Sequence, residues 1–510
     1  MTKKLFFEYF SLIVLGVVTS FSLPPFNYFI INFVSFSILF LFLIRKSFTE
    51  KGKKIFFFYG WLFGLGYFVT NLYWISISLT FDKSFKLLIP LSLILIPSFL
   101  GIFYGLVFYL FRILKPKKLI SSFFLFSLIF GILEFIRGSI LTGFPWNLIV
   151  YTFSNQSEIL SIVSLIGTYG LNLICISLFV SPAIFILKNN KKNFFVSLSF
   201  IIIFIFFYLH GKNYEKKFDS LNKISNDFNL RVIGSQISID RFYNDMDSIS
   251  IINDLIKLSN PNPNLKTVFV WPEGILPGIT KEEFGELSYL FEKKFNKNHL
   301  IIIGVNDEVI IDGSKKFYNT LSVYDHKLNV LYTYNKIKLV PFGEFLPFEK
   351  ILKTIGFKTI TNNYQSFSKG EKRNIIELKN YGFSIKLLPL ICYEIIYTGN
   401  LFKNSNFDLI VNISEDGWFG NSIGPKQHFV HSVFRAIENG KYVARSSNNG
   451  ITAIINPLGK TEETINFGED GYVDFREYKK IKKTIFSEYG NKTFLLLSLL
   501  YIFLIFLFRK

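Results

Sequence analysis

The stretch Lys386-Leu-Leu-Pro-Leu-Ile-Cys392-Tyr393-Glu394 decides how the chain is read. It has the character of a buried strand, and it stops at a thiol followed two residues on by a carboxylate. The chain has two cysteines, and the other, Cys175, lies in a long apolar segment, so Cys392 has no evident disulfide partner. A lone thiol at a strand end is a candidate nucleophile. Most free cysteines are small buried hydrophobes, so Cys392 alone does not establish chemistry. What other strands deliver beside it does.

Working outward, segment 211–491 alternates apolar runs with charge. Leu230–Ile233 reads as a strand, Ile249–Ser259 as a helix and Thr267–Trp271 as a strand running into Pro272-Glu273. Lys281–Asn298 has amphipathic helical spacing, and His299–Ile303 is a short buried strand ending at Gly304. Tyr318–Tyr324 and Leu328–Tyr334 form a hairpin about Asp325-His326-Lys327. Asp408–Ile413 is a strand and Lys426–Asn439 a helix ended by Gly440. Lys441–Ser447 and Ile451–Asn456 close the sheet. This alternation predicts a layered α/β domain.

Three strands deliver an ionisable residue at or just past their ends: Glu273, Lys336 and Cys392. Strand ends of a layered sheet gather at one rim, so these side chains can converge. A thiol needs a base, which Glu273 can be, and a tetrahedral oxyanion needs a cation, which Lys336 can be. Lys338 is the competing lysine; two residues on, it shares a strand face with Lys336 only if the strand continues, so Lys336 is preferred. His428 and His431 share one helix and read as surface or packing residues; no metal site is indicated.

The rest of the chain is membrane-like. Half of its 510 residues are hydrophobic and 63 are Phe. A bilayer core needs about 20 apolar residues per helix, and runs near 6–22, 28–44, 55–79, 86–113, 119–137, 158–187, 193–210 and 492–508 qualify as spans. The first run resembles a signal peptide, but a second span follows at once, so it reads as a retained anchor. Lysines and arginines concentrate at one set of loops, from Lys3 and Lys4 through Arg45–Lys54, Arg112–Lys118 and Lys188–Lys192 to Arg509 and Lys510. The positive-inside rule makes that side cytoplasmic, leaving 211–491 outside and both termini inside. The net charge of +19 is thus topological and gives no reason to expect nucleic acid. Glu134 and Arg137 at a span's end, before Thr142-Gly-Phe-Pro-Trp146-Asn147, are charges at membrane depth. Trp74 reads as an interfacial anchor.

Glu273, Lys336 and Cys392, in that order, resemble the Glu-Lys-Cys triad of the nitrilase superfamily. Within it, the chain is similar to the bacterial apolipoprotein N-acyltransferases. The resemblance rests on Trp271-Pro-Glu273, Asn335-Lys336, Leu339-Val-Pro-Phe-Gly-Glu344, Cys392-Tyr393-Glu394, Trp418-Phe-Gly420, Gln427-His428 and Asn448-Asn449-Gly450. It implies a multi-span α-helical membrane domain (1–210), an α-β-β-α sandwich catalytic domain (211–491) on the periplasmic side, and a C-terminal transmembrane helix (492–510). By the resemblance Cys392 is nucleophile, Glu273 general base and Lys336 oxyanion stabiliser, with Glu344, Tyr393 and Glu394 supporting. Phe242, Trp146, Phe345, Phe348 and Trp418 are substrate-contact candidates.

The implied partners are a phospholipid donor, a diacylglyceryl-cysteine lipoprotein acceptor and the bacterial inner-membrane bilayer. A monomer and no cofactor are expected. A departure is Arg241-Phe242, where the family pattern has a tryptophan after a basic residue. Beyond Glu344, Phe345, Phe348, Ile351, Leu352, Ile355 and Phe357 interspersed with lysines have the pattern of an interfacial lid. A membrane-tethered amidohydrolase using water, or a catalytically dead scaffold, are the competing readings.

Overall fold

The computed structural model describes residues 3–244, 247–354, 356, 358–361, 365–399, 401 and 406–509. Ile355 and Phe357 of the expected lid, and Lys510, lie outside the described residues.

The N-terminal part is helical: α1 Lys3–Ser20, α2 Ile30–Thr49, α3 Lys54–Leu72, α4 Ile89–Leu114, α5 Leu119–Arg137, α6 Ser157–Leu160, α7 Val163–Leu187 and α8 Lys191–Asp219. Six helical stretches among the described residues are long and apolar enough to cross a membrane, beginning with Ile30–Thr49 and ending with Lys191–Asp219. The expected first span, α1, does not reach that mark, and the last is a shorter apolar helix, Lys492–Leu507. The expected span 158–187 is divided between α6 and α7, and Gly167 kinks α7 with φ +72. Between apolar helices in lipid, small residues permit close approach. A Cβ on Gly16 would lie 2.1 Å from the Phe63 carbonyl oxygen, so α1 and α3 meet backbone to backbone there.

The remaining helices are α9 Ser248–Ser259, α10 Lys281–Glu286, α11 Glu349–Thr354, α12 Gly424–Asn439, α13 Ile485–Tyr489 and α14 Lys492–Leu507. The strands are β1 Ile224–Gly234, β2 Thr267–Val270, β3 His299–Ile311, β4 Ser314–Asp325, β5 Val330–Asn335, β6 Ile376–Glu377, β7 Lys386–Ile391, β8 Leu409–Glu415, β9 Tyr442–Asn448, β10 Thr452–Ile455, β11 Thr461–Ile465 and β12 Gly471–Tyr478. They form two six-stranded sheets, ordered β12-β1-β2-β3-β4-β5 and β11-β10-β9-β8-β7-β6. The sheets face each other through β1 against β9 and β10. Helices α9 and α10 cover the first sheet, burying Ile252, Leu255 and Phe284 against Phe269 and Ile301. Helix α12 covers the second sheet and also packs on α7. The expected α-β-β-α sandwich is present, and one of its outer layers doubles as the seam to the membrane helices.

Four details differ from expectation. Lys281–Asn298 is a short α-helix followed by a 3-10 turn, Leu287–Leu290. Gly285 weakens helix propensity where the chain tightens. Strand β3 runs on to Ile311 and pairs with β4 through Asp312-Gly313, whose φ angles are +51 and +71. That two-residue Asp-Gly turn with both φ positive matches the twist of its strands. The sheets do not close at Asn456: β11 and β12 follow, and β12 crosses back to pair with β1. Trp74 is buried, with Nε1 donating to Gln427 Oε1 (3.2 Å), and is not an interfacial anchor.

Candidate active site

Cys392 begins a 3-10 turn, Cys392–Ile396, immediately after the buried strand β7. Its φ is +46, a conformation that non-glycine residues rarely adopt. Strain of this kind persists only where the surroundings over-determine it, and it clusters at active sites. Here the surroundings are explicit. Glu394, two residues on, accepts from the Ile391 amide (2.9 Å), from Tyr334 Oη (2.7 Å) and from Arg373 Nη2 (2.9 Å). It also accepts from the amides of Ile337 and Lys338 (3.1 and 3.3 Å). One buried carboxylate thereby pins the cysteine turn to the chain that carries Lys336.

Glu273 lies just past β2 in a turn pressed against β3. A Cβ on Gly304 would sit 2.7 Å from the Glu273 Cα, so a glycine is needed there. Glu273 Oε1 accepts from Lys336 Nζ (3.1 Å) and Asn319 Nδ2 (2.8 Å), and Oε2 accepts from the Glu415 amide (3.1 Å). Lys336 Nζ also donates to Glu344 Oε1 (2.8 Å), which shares Asn319 Nδ2 (2.8 Å), while Glu344 Oε2 accepts from the Val340 amide (2.8 Å). All four side chains are buried. Burial alone would lower the Lys336 ammonium; Glu273 and Glu344 outweigh it and hold the lysine well above its ordinary range. Burial pushes the Cys392 thiol well up, Glu273 adds to that, and Lys336 opposes it. The thiol therefore lies within electrostatic reach of both residues. The three strand-end residues picked from the sequence are brought together, and Lys338 is not among them: its ammonium lies over the Tyr397 ring.

Some partners went unread in the sequence. Asn319 bridges Glu273 and Glu344 from the middle of β4, where nothing in its local pattern marks it. Glu415 carried a signal, since it ends strand β8 as the other site residues end theirs. Its side chain pairs with Arg241, whose Nε donates to the Gly274 carbonyl (2.9 Å) beside Glu273. Asp416 accepts from Ser414 (2.9 Å) and Arg445 (2.7 Å) and sits 2.8 Å from His428 Nδ1. Both His428 and His431 are buried, and burial lowers the His428 imidazole below its usual range despite Asp416. The surface alternative for these histidines is therefore excluded.

The substrate-contact candidates divide. Phe348 is 80% exposed, Phe345 is half-buried, and Phe342 and Ile351 are exposed beside them. Phe242 packs against Trp418 with ring centroids 4.8 Å apart, and Trp418 meets Phe81 of the membrane region at 6.2 Å. Trp146 is buried; its Nε1 donates to Gln427 Oε1 (2.9 Å) and its ring stacks on His428. Tyr393 Oη donates to the Gly143 carbonyl (3.1 Å).

The sequence model of the apolipoprotein N-acyltransferase N-terminal domain matches residues 15–181, and that of the carbon-nitrogen hydrolases matches residues 267–474. An apolipoprotein N-acyltransferase from Rhodopseudomonas palustris is 30% identical over 492 residues, covering 93% of this chain and 90% of that protein. Another, from Rhizobium etli, is 31% identical over 478 residues, covering 90% and 88%. The chain belongs to the apolipoprotein N-acyltransferases. Among solved structures, an amidase of the nitrilase superfamily from Nesterenkonia is 14% identical with a TM-score of 0.34, over 50% of this chain and 92% of that one. Nit3 of Saccharomyces cerevisiae, also of that superfamily, is 18% identical with a TM-score of 0.33, over 50% and 93%. Membership accounts for both halves of the architecture: a bacterial membrane protein whose helices carry a nitrilase-type sandwich. Within that family frame, Glu273 and Lys336 are buried ionisable residues in electrostatic reach of Cys392, and Glu344 pairs with Lys336.

Proposed function

We propose that the protein transfers an acyl chain from a membrane phospholipid, through a thioester at Cys392, to the N-terminal α-amine of a diacylglyceryl-cysteine lipoprotein. The observation that carries this reading is the strained Cys392 turn beside a buried Glu273–Lys336 pair. Glu273 takes the thiol proton as Sγ adds to the ester carbonyl. Lys336 donates to the oxyanion, where one well-placed donor is worth on the order of 100-fold in rate. The acyl C–O bond breaks, Glu273 returns the proton to the departing alkoxide, and a lysophospholipid leaves. The α-amine then attacks the thioester, Glu273 takes its proton, and collapse releases the amide and the Cys392 thiol. Glu344 holds Lys336 between two carboxylates, and Glu394 holds the turn.

In this reading 211–491 forms the catalytic domain on the periplasmic side, both termini are cytoplasmic, and a single copy suffices. The Lys/Arg asymmetry supports that orientation. Splitting the transfer lets one site serve two bulky lipids in turn. Incubation with phospholipid alone should add one acyl mass at Cys392 and release lysophospholipid. A diacylglyceryl-cysteine peptide should then discharge that mass onto its amine, and an amine-blocked peptide should not. An adduct that decays to free fatty acid without peptide would instead indicate a hydrolase, and absence of any adduct would refute covalent catalysis at this cysteine.

A further inference from the structure

We propose that Arg137, at the end of membrane helix α5, is a positioning residue for Cys392. Arg137 is buried, and its hydrogen bonds go to the loop that follows α5. Its Nη1 donates to the Phe144 carbonyl (2.5 Å) and its Nη2 reaches the Asn147 carbonyl (3.5 Å). Its charge is matched within the helices by Glu134, 3.7 Å away, whose carboxylate also accepts from Tyr104 Oη (3.0 Å) and Asn172. The guanidinium lies over the Phe68 ring. A charge at membrane depth is costly and needs partners, and here those partners include the carbonyls of loop 138–147.

That loop is set by further buried donors. Tyr67 Oη donates to the Asn147 carbonyl (3.1 Å), and Gly143, at φ +73, lies so close to Gly138 that a Cβ would be 2.4 Å from its oxygen. The next two carbonyls face the catalytic domain. Thr142 O accepts from Tyr397 Oη (2.8 Å) and Gly143 O accepts from Tyr393 Oη (3.1 Å). The two rings meet edge to face at 5.5 Å. Tyr393 is one peptide bond from Cys392, and Tyr397 closes the 3-10 turn that Cys392 opens. A fan of hydrogen bonds thus runs from α5 through one loop to both ends of the strained turn. The membrane region thus supplies a carbonyl acceptor for each of these two hydroxyls of the sandwich. The guanidinium suits this role because its planar fork aims two nitrogens at two carbonyls in a fixed geometry, whereas a lysine offers a single nitrogen on a flexible stem.

The inference rests on the acyl-transfer reading above, and its test is separable from it. Full-length protein in nanodiscs is mixed with phospholipid, and lysophospholipid release in a single turnover reports acylation of Cys392. Arg137→Lys keeps a cation for Glu134 but loses the fork. It should slow acylation on the order of 10- to 100-fold, the cost of misplacing a reacting group by a fraction of an ångström to about 1 Å, with KM for phospholipid little changed. Tyr393→Phe/Tyr397→Phe should slow it similarly. Because all three residues act through one loop, the triple variant should be no slower than the more impaired parent. Multiplying effects, or wild-type acylation in the Tyr→Phe pair, would overturn the proposal, and the Tyr→Phe pair decides it even if Arg137→Lys fails to fold. Failure of the wild type to acylate would instead strike the acyl-transfer reading itself.

Discussion

On one side of Cys392, Glu394 accepts from Tyr334, Arg373 and three backbone amides. On the other, Glu273 shares one oxygen between Lys336 and Asn319 and gives the second to one amide. Both carboxylates are buried and both face a cation, so burial and pairing do not distinguish them. The cation and the saturation do. Arg373 is permanently charged and held above even the usual arginine range, burial being outweighed by Glu394 and Tyr334. Glu394 is ringed by fixed donors, which is the wiring of an anchor. Lys336 is a compact ammonium with a third N–H beyond its two carboxylate partners. Glu273 keeps lone-pair capacity beside a thiol. Under the acyl-transfer reading, the carboxylate proposed to accept a proton is the incompletely bonded one, and the saturated one holds the turn.

The largest effects break this comparison at the reactive side. Cys392→Ala should abolish acyl transfer while leaving the unfolding temperature near that of the parent, since Ala fills the same space less a sulfur. Lys336→Ala and Glu273→Gln should each lose on the order of 100-fold or more in lysophospholipid release. Near-normal turnover by purified Cys392→Ala protein would end the mechanism.

The next pair of variants sharpens it. Glu344→Gln leaves Lys336 one carboxylate and should lower the rate with little loss of stability. Glu394→Gln leaves the buried Arg373 cation unmatched, which costs about 3–5 kcal/mol when a buried pair is broken. It should therefore reduce folded yield and unfolding temperature first. Thermal unfolding measured beside activity separates the two, and equal behaviour of both variants would erase the distinction between anchor and reactive cluster.

Glu273, Lys336 and Cys392 could be picked out in the sequence because each lies at or just past the end of an apolar strand, and a strand end is a local signal. The anchor was legible only as part of Cys392-Tyr393-Glu394. Asn319 sits within β4 and Arg373 in an irregular stretch, so their roles exist only after sheets pair across the sandwich. Strand β12 is similar: its place beside β1 joins residues at opposite ends of the domain, which no local period reveals. The Asp312-Gly313 turn was missed although it carried a signal, since Asp-Gly between apolar runs marks a hairpin and the strand before it does not stop at Gly304. The burial of Trp74 carried none, because its partner Gln427 comes from the other half of the chain.

The pH profile tests the same contrast more gently. Burial and Glu273 raise the Cys392 thiol, so at neutral pH the folded state holds it protonated and needs a base to remove the proton. Wild-type acylation should vary little between about pH 7 and 9, because Glu273 supplies that base within the site. The residual rate of Glu273→Gln should climb with pH, by up to about tenfold per unit, because only spontaneously formed thiolate reacts. Parallel flat profiles for both proteins would show that Glu273 does not take the proton.

The smallest effect concerns the segment beyond Glu344. Phe348 is 80% exposed and Ile351 66%, with Phe342 at 45%, while Leu346 between them is buried. Large apolar side chains exposed together, interleaved with Lys350 and Lys353, suit an amphipathic surface resting at a lipid interface better than one facing water. The segment begins at Glu344, which holds Lys336, so whatever it rests on lies near the site. Phe348→Asp removes apolar contact without disturbing packing, because the ring packs on little. Phe345→Asp reaches a half-buried ring and disturbs more. Turnover of phospholipid in vesicles should fall several-fold in Phe348→Asp, roughly the effect of losing about 1–2 kcal/mol of buried apolar surface, while a short water-soluble thioester or ester should be turned over as before. Equal losses on both substrates would mean that the segment merely packs on the domain, and the contrast would then rest on the two carboxylate clusters alone.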